Sequence, residues 1–155
     1  MLMNLLLGLS TMGLCLLLQA LLLAGATTYY THHEHQITNP SFWSSLAVIT
    51  SVMLMLVIGN FAQVAIWALL FQILGEFDQF SSAIYHSAVN FSTLGYGDIV
   101  MSEKRKLLGP LESMNGVLMI GISSAALLAA FQDAMTKTME ARGQQSHDAK
   151  NKGPG

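Results

Sequence analysis

Three long apolar runs, separated by polar stretches, constrain this sequence more than any other feature. The 155 residues are 52% hydrophobic and only 10% charged, whereas soluble domains carry about 25% charged residues. A helix needs about 20 apolar residues to cross the hydrocarbon core of a bilayer. The runs at residues 2–26, 40–74 and 107–131 all reach that length. The sequence therefore predicts an all-α transmembrane protein with three membrane-spanning helices per chain.

The first run, residues 2–26, has two interpretations. It ends in Ala24-Gly25-Ala26, a sequence of small residues typical of a signal-peptide cleavage site. Against cleavage, no basic residue precedes the run, since the first Lys or Arg of the chain is Lys104. The run is also longer than the roughly 7–15 residues of an ordinary signal-peptide core. We therefore interpret residues 1–26 as an uncleaved transmembrane helix, and its lack of charge favours a peripheral position.

A shorter stretch between the second and third runs is too polar to span a membrane. Residues 79–92 suit a re-entrant helix, and residues 93–98 then read Thr-Leu-Gly-Tyr-Gly-Asp. Glycines adopt left-handed torsions at little cost, so two glycines around an aromatic residue permit successive carbonyls to face one side. Non-helical backbone at membrane depth is tolerated only inside protein or along a water-filled path. Residues 93–98 are therefore the candidate ion path.

At these residues the chain resembles the pore domain of potassium channels, whose filter carries Thr-Val/Leu-Gly-Tyr-Gly-Asp. The resemblance covers roughly residues 46–132, including the apolar runs on both sides of the motif. It implies backbone-carbonyl coordination of dehydrated K+, the permeant ion, with Gly97 supporting the filter and Asp98 at its outer mouth. The resemblance assigns the ion-coordinating oxygens to four residues: Thr93, Leu94, Gly95 and Tyr96.

One chain supplies one re-entrant helix and one filter strand, which cannot enclose an ion. The resemblance therefore implies a homotetrameric pore, in which three identical subunits join the chain around a central axis in the lipid bilayer. Tyr85 and His86 stand where the best-known members carry paired tryptophans, and Val89 stands where some carry glutamate. We expect His86 either to support the filter by hydrogen-bonding Tyr96 or Asp98, or to pack as an ordinary pore-helix side chain.

The third run contains several residues with a candidate role. Gly121 aligns with the gating-hinge glycine of the family, but small residues also allow close helix packing in membranes, and both roles stay open. Asn90 and Asn115 should be hydrogen-bonded within the bundle. Glu112 lies in the first turn of a helix that Pro110 opens, where the helix dipole, rather than a role as an ion ligand, explains an acidic residue. The residues expected to line the inner cavity recur on one helical face: Ile122, Ala125 and Ala129.

The resemblance also sets the topology, because the filter of the family opens to the extracellular or periplasmic face. The N-terminus then lies outside, with a His-rich loop (27–41) and a polar tail (133–155) in the cytoplasm. The pore domain (42–132) comprises an outer helix, a pore helix (79–92), the filter (93–98) and an inner helix (107–131). We expect a multi-pass protein of the plasma membrane, specifically a prokaryotic inner membrane.

The histidines of the loop, His32, His33 and His35, have two interpretations. Together with Glu34 they could bind a metal ion or respond to pH, since histidine titrates near pH 6.5. Adjacent histidines on a loop lack a clear ligand geometry, however, and a plain hydrophilic linker explains them as well. No arginine-rich voltage-sensing helix is present, and the tail is short for a ligand-binding domain, so no gating stimulus is predicted.

Three functions are compatible with these features. The first is a potassium-selective channel, the second a weakly selective cation channel, and the third a non-conducting membrane subunit of a larger complex. The formal charge of −2 gives no support to nucleic-acid binding. No catalytic constellation converges in the sequence, so we do not expect an enzyme.

Overall fold

The computed structural model describes residues 1–33 and 42–151, with side chains described at 1–33, 46–140 and 143. Within these residues the regular structure is entirely helical: α1 (Leu2–His32), α2 (Phe42–Ile73), α3 (Phe80–Phe91) and α4 (Leu108–Asn151). Three helices are long and apolar enough to cross a membrane, at Leu2–His32, Leu46–Ile73 and Leu108–Glu140. The prediction of an all-α fold with three spanning helices and one short helix between the last two is confirmed.

Two of the predicted helix ends were wrong. Helix α1 continues to His32 rather than ending at residue 26, because the threonines of this stretch satisfy their hydroxyls within the helix. Thr28 Oγ1, for example, donates to the Ala24 carbonyl at 2.8 Å. Residues 27–32 of the predicted loop are therefore helical, and residues 34–41 lie outside the described residues. Helix α4 likewise continues from the predicted end at 131 to Asn151, through most of the predicted tail.

The turn after α2 reverses the chain, so that α3 packs back against α2. Gly75, with φ 73°, takes the left-handed position that ends many helices. Its N–H donates to the Gln72 carbonyl at 2.9 Å, and the Glu76 N–H donates to the Phe71 carbonyl at 3.1 Å. This Schellman motif satisfies the last carbonyls of α2 and leaves only a few residues before α3 begins at Phe80.

The short helix α3 packs between α2 and α4, and α1 packs against both of these long helices. An apolar cluster around Trp67 and Phe71 of α2 joins α1, α3 and α4. Helix α1 also reaches the α4 side of the bundle through hydrogen bonds near its start, middle and end. These are Asn4 Nδ2 to the Lys104 carbonyl (2.6 Å), Gln19 Nε2 to Ser123 Oγ (2.9 Å), and Tyr30 OH to Asp133 Oδ2 (2.8 Å).

Candidate functional site

The segment that follows α3 leaves the helix at a threonine with an unusual backbone conformation. Thr93 has φ 61° and is the one non-glycine residue with positive φ in the described part of the chain. Its N–H donates to the Asn90 carbonyl at 2.9 Å, and the Leu94 N–H donates to the Val89 carbonyl at 2.9 Å. This is the same motif that ends α2, but with threonine in the position normally occupied by glycine. A β-branched residue in this region is a genuine outlier.

The left-handed conformation then recurs at every second residue. Gly95 has φ 58° and Gly97 has φ 74°, whereas Leu94 and Tyr96 between them do not have positive φ. The sign of φ therefore alternates across Thr93–Gly97, and no regular helix or strand forms there. Such alternation turns successive peptide groups the same way, so their carbonyls can gather on one side of the strand. The residues of this segment are exposed in the single chain, from Ser92 to Asp98.

A tyrosine of α3 ties down the end of this segment. Tyr85 OH donates to Asp98 Oδ2 at 2.7 Å. This hydrogen bond holds the pKa of the Asp98 carboxyl below its usual range and raises the pKa of Tyr85. The bond stabilises the ionised form of Asp98 and the protonated form of Tyr85. Both groups lie at the surface of the chain, so the carboxylate stays available to solvent.

His86 supports the same segment, but not through the partners expected from the sequence. Its Nδ1 lies 2.9 Å from the Ile99 carbonyl and its Nε2 lies 2.9 Å from Asn90 Nδ2. A carbonyl only accepts and an amide nitrogen only donates, so the ring is the neutral tautomer protonated at Nδ1. Burial lowers the pKa of His86, which agrees with a neutral ring. Within the single chain, His86 thus contacts neither Tyr96 nor Asp98 through a hydrogen bond.

The loop after the segment is clamped to the turn after α2. Glu76 accepts hydrogen bonds from the backbone N–H of Ser102 at 2.7 Å and from its hydroxyl at 2.9 Å. Arg105 Nε lies 3.3 Å from the same carboxylate. These contacts join the turn before α3 to the loop after residue 99, so one carboxylate anchors the chain on the far side of the segment.

Helix α4 approaches the end of α3 more closely than a side chain would allow. A Cβ built on Gly116 would lie 2.0 Å from the Phe91 carbonyl oxygen. One turn earlier, Ser113 Oγ donates to the Asn90 carbonyl at 2.9 Å. The last turn of α3, immediately before Thr93, therefore rests directly on the backbone of α4.

The contact that Glu112 makes was not predicted from the sequence. Glu112 of α4 is fully buried and hydrogen-bonds Ser87 of α3, which also contacts the Val64 carbonyl of α2 at 2.7 Å. The helix-dipole interpretation gave no reason to expect a partner on another helix. The expectation for the two asparagines was half right: Asn90 is hydrogen-bonded, whereas the described residues offer no partner to the buried Asn115 amide.

The other candidate residues stay predictions. The four assigned to coordination, Thr93 to Tyr96, lie together in the alternating segment. Gly121 lies in an unbroken stretch of α4, and a Cβ there would meet nothing within 4 Å. In the chain Ala125 and Ala129 are exposed and Ile122 is half-buried. His32 and His33 end α1, His35 lies outside the described residues, and the described part of the chain contains no group of three potential metal ligands.

These features lie in a part of the chain that resembles a known protein family. A family model described as ion channel matches residues 55–133, just over half of the 155 residues. The chain belongs to this ion-channel family. The match covers most of α2, all of α3 and the segment after it, and α4 to the point where Asp133 bonds Tyr30. With its three apolar helices, this ion channel is a multi-pass membrane protein. No curated protein and no solved structure matches the chain.

Proposed function

We propose that the protein is a potassium-selective channel, with residues 93–97 as its selectivity filter. The observation that carries the proposal is the alternating sign of φ along this segment, including a left-handed threonine. Each left-handed non-glycine residue costs roughly 1–2 kcal/mol, and glycine would avoid that cost at Thr93. Strained residues persist where the surrounding structure and the function require them. A threonine hydroxyl next to a row of carbonyls adds one more oxygen for a cation.

The described hydrogen bonds support a rigid filter. Tyr85 holds Asp98, and His86 holds the Ile99 carbonyl, so the strand is fixed from α3 at the end where ions would enter. An oxygen cage has to keep its geometry in order to replace the hydration shell of an ion. Asp98 remains exposed, and a ring of such carboxylates would attract cations to the entrance.

We further propose a homotetramer, because the segment has no partner on its exposed side. Leu94 is 58% exposed and Tyr96 is 67% exposed in the single chain. An apolar groove of about 480 Å³ runs beside them, between α2 and α3. Three further copies arranged around an axis would cover these side chains and bring four rows of carbonyls together. The membership of potassium-channel pore domains in the same family agrees with this arrangement.

A matched pair of substitutions tests the filter. Gly97→Ala and Gly13→Ala each add one methyl group, and in neither case would the new Cβ meet an atom within 4 Å. Only Gly97 has positive φ, so only there does alanine strain the backbone, by roughly 1–2 kcal/mol per chain. The purified protein is reconstituted in vesicles, and K+ and Na+ efflux are measured separately.

We expect the parent and Gly13→Ala to pass K+ in preference to Na+, and Gly97→Ala to lose much of that preference. Equal K+ and Na+ efflux in the parent would instead identify a weakly selective cation channel. The absence of efflux of either ion would indicate a non-conducting subunit. If Gly97→Ala kept the selectivity of the parent, residues 93–97 would not be the filter.

A further inference from the structure

Glu112 carries a buried carboxyl group that is not part of the proposed ion path. It is fully buried at the junction of α2, α3 and α4. One carboxyl oxygen, Oε1, shares a hydrogen bond with Ser87 Oγ, and the other, Oε2, has no hydrogen-bond partner among the described residues. In the same part of the chain, no ion pair involves Glu112. A glutamate inside a membrane domain therefore lies without a compensating charge.

A count of hydrogen atoms determines the form of this carboxyl group. Ser87 Oγ lies within hydrogen-bond distance of two oxygens, the Val64 carbonyl at 2.7 Å and Glu112 Oε1. The hydroxyl has a single hydrogen, and a backbone carbonyl can only accept. If that hydrogen goes to Val64, the bond between Ser87 and Glu112 needs a hydrogen from the carboxyl group. A neutral glutamic acid that donates to Ser87 satisfies both bonds.

The energetics agree with the neutral form. An unpartnered carbonyl oxygen of a neutral acid costs roughly 1–3 kcal/mol when buried, whereas an isolated buried carboxylate costs far more. Leaving Oε2 without a partner is therefore tolerable only if the group carries its proton.

We infer that Glu112 keeps its proton and thereby positions the filter. Loss of this proton releases the pore helix, α3, from its neighbours. This inference rests on the proposed channel function. The chain of bonds runs from Glu112 of α4 through Ser87 of α3 to the Val64 carbonyl of α2. It thereby fixes the helix that ends at Thr93. An ionised Glu112 could only accept, so it would compete with Val64 for the one hydrogen of Ser87.

The surroundings offer little to replace the lost hydrogen bond. On α1, the titratable group that interacts with Glu112 is the Cys15 thiol, which carries no positive charge. Helix α3 presents the uncharged Asn90 amide, and both ring nitrogens of His86 already have partners. Helix α2 contributes the Val64 carbonyl and, beside Cys15, the buried Trp67 indole, neither of which is charged. On α4 itself, Asn115 lies three residues further along the same face, where side chains are neighbours. Its Nδ2 has no hydrogen bond among the described residues, but the donor next to Glu112 is the Asn90 amide, which already donates to His86 Nε2.

Infrared spectroscopy tests the protonation state directly. A protonated carboxylic acid has a C=O band that a carboxylate lacks, and we expect that band in the parent at neutral pH. Glu112→Gln should remove it, because the amide keeps the shape and a donor but has no acid. The matched control Glu103→Gln changes an exposed glutamate and should leave the band in place. Ser87→Ala should shift the band, because the acid then donates to a different partner.

The functional arm measures K+ efflux and thermal unfolding from neutral to alkaline pH. We expect the efflux of the parent to fall as the band disappears. Its stability should already fall from neutral pH upward and level off once the band has gone, because over that range the folded state holds a proton that the unfolded chain has released. Glu112→Gln should lose this pH dependence, and Glu103→Gln should retain it. Absence of the band in the parent, or an unchanged pH dependence in Glu112→Gln, would overturn the inference. If no variant conducted K+ at any pH, the proposed function would fail, while the band and the unfolding curves would still decide the role of Glu112.

Discussion

The contact between α4 and the end of α3 predicts a large effect from adding a single methyl group. In Gly116→Ala the new Cβ would lie 2.0 Å from the Phe91 carbonyl oxygen, 2.7 Å from its carbon and 2.9 Å from its Cα. Close carbon–oxygen contacts in proteins are about 3.3–3.6 Å. The two helices would therefore have to separate by about 1.3 Å. The obstructing atoms are backbone, so no side-chain rotation can relieve the clash.

Overpacking of this kind typically costs about 1–3 kcal/mol, whereas alanine is favoured over glycine in a helix by about 0.5–1 kcal/mol. We expect the clash to dominate, because a whole helix has to move. Gly121→Ala is the matched control on the same helix, since its Cβ would meet nothing within 4 Å of the chain. It should be neutral or slightly stabilising. Both variants gain the same helix preference for alanine, so their free energies of unfolding should differ by the clash alone, roughly 1–3 kcal/mol.

Reversible unfolding in detergent, followed by circular dichroism, measures this difference. Phe91 lies two residues before Thr93, so the selectivity of Gly116→Ala in vesicles should fall together with its stability. Equal stability of the Gly116→Ala and Gly121→Ala variants would mean that the approach of the two helices is not as close as described. In that case the argument that α4 positions the end of α3 would be refuted.

Three further predictions concern single side chains. Tyr85→Phe removes the donor that lowers the pKa of Asp98, so that pKa should rise, and acid inhibition of K+ efflux should begin at higher pH than in the parent; an unchanged pH profile would contradict this. Gln19→Leu removes the bond that Gln19 donates to Ser123 and the bond that it accepts from Gln63, and should destabilise the protein by about 1–3 kcal/mol in thermal unfolding, since each hydrogen bond between membrane helices contributes about 0.6 kcal/mol on average and at most about 1.7 kcal/mol. If residues 93–97 are the filter as proposed, Tyr96→Asp should lower the preference for K+ over Na+ in vesicles, because it adds a charge beside that segment and removes the aromatic ring.

Tyr85→Phe should also change how the folding stability depends on pH in the acidic range. A carboxyl with a depressed pKa in the folded state contributes stability above the pKa of the unfolded chain, and this stability is lost as the pH falls through the folded value. In Tyr85→Phe the pKa of Asp98 in the folded state lies closer to its pKa in the unfolded chain, so Asp98 contributes less to stability at neutral pH. Stability measured between neutral and acidic pH should therefore change less in the variant than in the parent.

The segment with alternating φ could be located from the sequence because local chemistry determines it. The Gly-Tyr-Gly-Asp motif requires left-handed backbone, and both Gly95 and Gly97 have it. Thr93 could not be foreseen in this way, since threonine does not favour that conformation. The helix ends were mispredicted where polar residues such as Thr28 satisfy themselves inside a helix. Composition alone reads such residues as a loop.

Contacts between helices were beyond sequence reasoning for a different reason. One partner of His86 is a backbone carbonyl thirteen residues away, at Ile99, and nothing in the sequence identifies a particular carbonyl as a partner. Glu112 appeared to suit the helix dipole, which explains an acidic residue without any tertiary contact. Its burial becomes evident only when α2, α3 and α4 are placed together, and Ser87 is then its neighbour.

The sequence of α1 does indicate which face packs against protein, although its hydropathy does not. Hydrophobicity varies little around this helix, so it looked uniform, yet its leucines and its small or polar residues are distributed unevenly. The buried residues of α1 are Asn4, Gly8, Thr11, Cys15, Gln19, Ala26 and Tyr30. At about 100° per residue they fall within a sector of about 100°. In a membrane, small residues let helices approach and polar residues need protein partners, so this stripe marks the face that contacts protein. Here residue size and polarity, rather than mean hydropathy, distinguish the face of α1 that joins the channel from the face left to lipid.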